Sequence, residues 1–176
     1  MILSFMATAL TTIAVVLFLL AAQSRKRIGI PAGALVYQDL PGQPFDGKSL
    51  RSHALGISGK PDCLIRTVAG IVPVELKYAS RPPGRGEVYP SHMIQALAYC
   101  ALVEDQIKVP APYALVIYAG QRVRRVEFTQ QRRRWLLDTI RQLELARERQ
   151  LANRNHDHPA RCARCGVRSR CDQALL

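Results

Sequence analysis

The sequence predicts a mixed α/β domain on a central sheet, led by an apolar helix and closed by a cysteine-rich knuckle. Three observations predict this. The first 22 residues carry no charge, short β-rich runs then alternate with helical periodicity, and three of the five cysteines fall between Cys162 and Cys171. At 176 residues the chain has room for one domain of ordinary size once the apolar N-terminus is set aside.

Met1 to Ala22 is mostly Ala, Val, Ile, Leu, Phe and Met. A run of about 20 such residues matches a membrane-spanning helix. A cleaved signal peptide would carry positive charge before the apolar stretch, whereas Arg25, Lys26 and Arg27 follow it. Their position predicts a single-pass membrane protein with its N-terminus outside and the remaining domain cytoplasmic. Pro31, Gly33, Pro41, Gly42, Pro44 and Gly47 then mark a juxtamembrane linker, with one short strand expected at Ala34 to Tyr37.

The runs Asp62 to Arg66 and Ile71 to Lys77, joined by a turn at Ala69 and Gly70, read as a hairpin. Pro73 implies that the second strand begins irregularly or lies where one amide needs no partner. A loop from Ser80 to Pro90 leads to Ser91, the expected N-cap of a helix from His92 to about Asp105. Tyr113 to Tyr118 and Val123 to Phe128 read as two further strands about Gly120. Thr129 caps a long Arg-rich helix from Gln130 to about Ala152, with Leu136, Ile140 and Leu143 as its apolar stripe. The organisation expected is 1–24 anchor, 25–50 linker and lead-in, 51–152 core and 153–176 knuckle.

All charge lies after the apolar segment, so the net +12 belongs to the remainder and is mostly Arg. A solvated basic face, an anionic membrane surface and a polyanion such as DNA all suit it. On a strand, residues two apart share a face, so Glu75 and Lys77 point the same way. A hairpin brings Asp62 alongside. Two carboxylates, an ammonium and the Leu76 carbonyl on one surface suit a hard cation such as Mg²⁺ or Mn²⁺, with Lys77 orienting a water and stabilising phosphate charge. Glu-x-Lys alone is weak, since a solvated hairpin would carry it equally well.

Cys162, Cys165 and Cys171 have the spacing of ligands to one tetrahedral centre, either Zn²⁺ or an iron–sulfur cluster. His156 or His158 would complete a local Cys₃His set. Cys63 and Cys100 read as small core residues.

Gly59-Lys60-Pro61-Asp62, Val72-Pro73-Val74-Glu75-Leu76-Lys77 and Gln95-Ala96-Leu97-Ala98-Tyr99, in this order, resemble the RecB-type branch of the PD-(D/E)xK nucleases. They are most similar to the CRISPR-associated RecB-like exonucleases, over about Leu55 to Cys171. The resemblance implies a restriction-endonuclease-like central mixed β-sheet flanked by helices and a metal-dependent deoxyribonuclease acting on single strands or ends. It implies Asp62, Glu75, Lys77, Gln95 and Tyr99 as catalytic residues, and further DNA-processing proteins as partners. It also implies an upstream metal ligand, for which His53 is the first candidate and His92 an alternative. In the family a cysteine trio joins a fourth, N-terminal Cys on a [4Fe-4S] cluster. No Cys precedes Pro61 here, a departure that leaves Zn²⁺ open. The alternative function is a non-catalytic, membrane-tethered nucleic-acid-binding module; a scaffold binding lipid headgroups is a third. Base stacking on Tyr89 or Tyr118 would suit single strands.

Overall fold

A computed structural model describes residues 2–28, 31–38, 49–78, 80–150 and 153–175. The chain divides into two compact units, 1–136 and 137–176. Part of the expected linker, including Pro41, Gly42, Pro44 and Gly47, lies outside the described residues, as does the expected helix end at Ala152.

The apolar N-terminus forms helix α1, Ile2–Ile28. The expected transmembrane span is not found: among the described residues no helix is long and apolar enough to cross a membrane. Leu10, Ile13, Leu17 and Leu20 of α1 are exposed.

The main sheet has the order β1-β4-β5-β6-β7. Strands β1 (Ala34–Gln38), β4 (Cys63–Thr67) and β5 (Gly70–Lys77) pair antiparallel in that succession, with a bulge in β1 between Leu35 and Tyr37. Strand β6 (Tyr113–Tyr118) pairs parallel with β5, and β7 (Arg122–Glu127) closes a second hairpin on β6. This mixed sheet and its helices agree with the expected class. A two-stranded sheet of β2 (Leu50–Ser52) and β3 (Ile57–Gly59) was not anticipated, because three-residue strands leave almost no period to read.

Pro73 sits inside the central strand β5, opposite Leu64. Pairing to β6 begins one residue later, at Val74, so the strand tolerates the missing donor at the edge of that ladder. Helix α2 is Pro90–Leu102 and continues as a π-helical turn over Val103–Ile107. Its start differs from the expected Ser91 cap: Pro90 occupies the first turn, where a missing N–H costs nothing. Val72, Val74, Tyr113 and Leu115 form a core on one face of the sheet, with Cys63, Ile65 and Leu76 packed against it. The other face lies under α2, whose Ala96, Leu97 and Cys100 are fully buried.

Helix α3, Gln130–Glu148, is capped by Thr129, whose hydroxyl accepts the Arg132 amide at 3.3 Å. Its expected stripe is buried only at Leu136, while Leu143 is exposed. Within the first unit, Arg133 of α3 is ion-paired to Glu104 and stacks over Phe128.

The β4–β5 turn depends on Gly70, whose φ is +132°. A Cβ there would overlap the Pro110 carbonyl, which accepts the Ile71 amide. Gly70→Ala should therefore lower unfolding stability by at least about 1 kcal/mol in a urea titration, from strain and a displaced hydrogen bond together. An unchanged midpoint would show that the 108–112 segment is not held there.

Candidate active site

Strand alternation puts Glu75 and Lys77 on the α2 face of β5 and sends Val74 and Leu76 to the opposite core. Glu75 is 6% exposed, an unusual place for a carboxylate unless it is paired. The Lys77 ammonium lies 2.7 Å from Glu75 Oε1, and the Gln95 side-chain amide donates to the same oxygen at 2.9 Å. Asp62, just before β4, accepts the Leu76 backbone amide at 2.7 Å through Oδ2. The sequence-predicted residues Asp62, Glu75, Lys77 and Gln95 thus share one face, across the junction of two strands and a helix.

Tyr99 belongs to the same network. Gln95 donates to its hydroxyl at 2.7 Å, and that hydroxyl donates to the Lys60 carbonyl at 3.1 Å. Both amide hydrogens of Gln95 are therefore committed, one to Glu75 and one to Tyr99. Burial, opposed by the Gln95 hydrogen bond but aided by the Glu75 charge, pushes the Tyr99 phenol up to about 12. It remains a neutral donor at any ordinary pH. Gly59 makes this approach possible, because a Cβ there would come within 2.8 Å of the Tyr99 ring. The glycine of the Gly59-Lys60-Pro61-Asp62 motif thus has a steric reason that the sequence alone did not supply.

The donor set fits a hard divalent cation. The bonds just described leave Asp62 Oδ1 and Glu75 Oε2 as the hard oxygen donors, with the Leu76 carbonyl between them in the chain. Among the described residues no cluster of three His, Cys, Asp or Glu side chains is placed to hold a metal, so backbone oxygen or water would complete the shell.

His53 is not at this site. It is exposed in the β2–β3 turn, and its charge acts on Asp105. His92 is the histidine brought towards the site: its Nδ1 lies 2.9 Å from the Tyr118 hydroxyl, and Tyr118 pairs with Lys77 across β5 and β6. Tyr118 is fully buried and unavailable for base stacking, whereas Tyr89 is 39% exposed. The sequence carried one signal for His92, its place one helical turn before Gln95, but nothing that showed Tyr118 beneath it.

In the second unit, Cys162, Cys165, Cys171 and His156 line a common cavity of about 280 Å³. Cys162 is buried and its sulfur accepts the Leu175 amide at 3.4 Å, while Cys165 is exposed. His156 Nδ1 accepts the His158 amide at 3.3 Å. Among the described residues no three of these side chains are placed to hold one metal ion, although they share a cavity. Cys63 and Cys100 behave as core residues, and burial pushes the Cys63 thiol up to about 11.

Burial, and then the nearby Lys77 charge, lower the His92 pKa below its ordinary value of 6.5. The unfolded chain consequently binds more protons just below pH 6.5, so His92 makes stability fall as pH drops through that range. An NMR titration of the folded protein should find the His92 midpoint below 6.5. A midpoint at or above 6.5 would contradict the burial and the lysine contact.

The pattern of the PD-(D/E)XK nuclease superfamily matches residues 11–172, nearly the whole chain. No curated protein matched the sequence. Members of the superfamily are typically metal-dependent nucleases that use Mg²⁺ or Mn²⁺. A mixed sheet carrying two carboxylates and a lysine beneath a Gln/Tyr-bearing helix agrees with that match, and the chain belongs to the PD-(D/E)XK nuclease superfamily.

Proposed function

We propose that this protein is a divalent-metal-dependent deoxyribonuclease of the RecB-like type, acting on single strands or ends. The observation that carries the reading is the buried Glu75 carboxylate, bound by Lys77 and Gln95 on the face it shares with Asp62. A buried ion pair is a poor device for stability alone, because desolvation offsets most of its attraction. Its retention in a nuclease fold points to chemistry.

In the reaction, Asp62, Glu75 and the Leu76 carbonyl would hold Mg²⁺ or Mn²⁺, which supplies charge neutralisation at the phosphate and a more acidic water. Lys77 stabilises charge at the phosphate and orients the water. Gln95 fixes Glu75 Oε1, so the carboxylate presents its other oxygen. Tyr99 fixes Gln95 and ties α2 to the segment that carries Asp62. The order of the three motifs supports the RecB-like branch and a role in trimming DNA during CRISPR adaptation, with other DNA-processing proteins as partners. The exposed Arg134, Arg141 and Arg147 of α3, and Arg149 just after it, support a polyanionic substrate.

Two ancillary features belong to the same reading. The shared cavity supports binding of Zn²⁺ or a [4Fe-4S] cluster by Cys162, Cys165, Cys171 and His156, in a structural role. The exposed apolar side chains of α1, followed by Arg25, Lys26 and Arg27, support attachment to an anionic membrane surface, with the nuclease domain on its cytoplasmic side.

The decisive experiment is cleavage of end-labelled single- and double-stranded DNA by the full chain with Mg²⁺ or Mn²⁺. Asp62→Asn, Glu75→Gln and Lys77→Ala should each lower the rate by at least roughly 100-fold, as loss of a preorganised charge does elsewhere. Circular dichroism would check that each variant is folded, Lys77→Ala above all, since it strands a buried carboxylate. DNA binding without cleavage in either metal would favour the non-catalytic binding module instead. Separately, Cys162→Ser with Cys165→Ser should abolish stoichiometric zinc or iron measured by plasma emission. Metal content unchanged by the pair would remove the knuckle from the reading.

A further inference from the structure

Helix α2 turns one stripe towards the sheet: His92, Gln95 and Tyr99, at helical spacing. Gln95 and Tyr99 serve the carboxylate end, reaching Glu75 and the Lys60 carbonyl. His92 serves the other end. It meets Tyr118, the β6 partner of Lys77, and the lysine charge acts on both His92 and Tyr118.

The contact between His92 Nδ1 and the Tyr118 hydroxyl is compatible with either ring tautomer, and the burial of Tyr118 favours one. The Tyr118 hydroxyl accepts the Tyr89 amide at 3.4 Å, and Tyr118 is fully buried. Its own hydrogen, shut off from water, then needs an acceptor, and His92 Nδ1 lies within reach at 2.9 Å. Nδ1 is then the acceptor nitrogen, and the ring hydrogen of the neutral imidazole resides on Nε2. Tyr89 packs edge-on against the ring at 5.4 Å and Tyr118 lies tilted at 5.5 Å, so the ring plane is held from two sides. The result is a neutral N–H donor of fixed direction beside an ammonium.

We propose that His92 is a substrate-positioning residue whose Nε2–H donates to a non-bridging oxygen of the nucleic-acid phosphate held by Lys77. This rests on the nuclease reading of the site. A phosphate seated between the metal-facing carboxylates and the Lys77 end meets a cation and a neutral donor there together, a combination that suits a group carrying several anionic oxygens. The same tautomer argues against His92 as the metal ligand, because its Nε2 lone pair is occupied by the proton. Burial and the lysine charge keep the ring neutral, so the donor persists at ordinary pH.

A purely structural His92 would need only Nδ1, to receive the Tyr118 hydrogen, and amide substitutions separate the two roles. In His92→Asn the side-chain amide stands near the Nδ1 position, whereas in His92→Gln it reaches the Nε2 position. Single-turnover cleavage of short single-stranded DNA by the full chain should fall roughly tenfold or more in His92→Ala and in His92→Asn, with His92→Gln recovering most of the loss. Rescue by Asn and not by Gln would overturn the proposal. ¹⁵N NMR of the histidine ring supplies a readout that does not need turnover. The wild-type ring should show the Nε2–H tautomer, and Nε2 should shift when a thymidine trinucleotide is added with Ca²⁺. The opposite tautomer, or an Nε2 signal untouched by the trinucleotide, would overturn the assignment. A wild-type chain that cleaves no DNA but shows the trinucleotide shift would end the nuclease reading and leave the phosphate contact standing.

Discussion

The arrangement depends on keeping one carboxylate out of water. Glu75 lies on a central strand with β4 on one side and β6 on the other, and an ion taken from water into such a place loses several kcal/mol of solvation. Lys77 and Gln95 offset that cost by binding the same oxygen. Gln95 can do so only if α2 lies over β5. Tyr99, by bonding both Gln95 and the Lys60 carbonyl, connects that placement to the turn preceding Asp62. The packing of Ala96, Leu97 and Cys100 beneath the helix supplies the apolar burial that holds it there.

Much of this was legible in the sequence because it rests on short periods. Two-residue alternation put Glu75 and Lys77 on one face, and the four-residue spacing of Gln95 and Tyr99 put them on one side of a helix. What the sequence concealed was long-range or too brief to carry a period. Apart from its spacing to Gln95, nothing local distinguishes His92, above Tyr118, from His53, in a turn beside Asp105; the pairing of β5 with β6 decides between them. The start of α2 was misplaced by two residues because Ser91 resembles a cap while Pro90 already fits the first turn. The stripe on α3 was a sound reading of periodicity, but period shows which side chains share a face and not whether anything covers that face.

The cysteines illustrate the same limit in chemistry. Cys162, Cys165 and Cys171 share one cavity, whereas their spacing predicts one metal centre. Convergence on a metal requires a few tenths of an ångström in ligand distance and a fourth donor, and spacing carries neither. Pro73 shows the opposite case, a residue that argues against a central strand and yet sits in one, because the neighbouring ladder begins at Val74.

The parallel pairing of β5 with β6 has a kinetic consequence. The β4–β5 and β6–β7 hairpins are each closed by short turns, whereas Val74 meets Leu115 only after the whole of α2 has been laid across the sheet. Loop closure of that length comes late relative to hairpin formation, since its entropy must be met before the new contacts compensate. Until it closes, Glu75 belongs to a solvated hairpin and Lys77 has no Tyr118 beside it. The chemistry-bearing row is therefore a property of the finished chain rather than of any local segment, and a partly folded molecule carries the motif without the site.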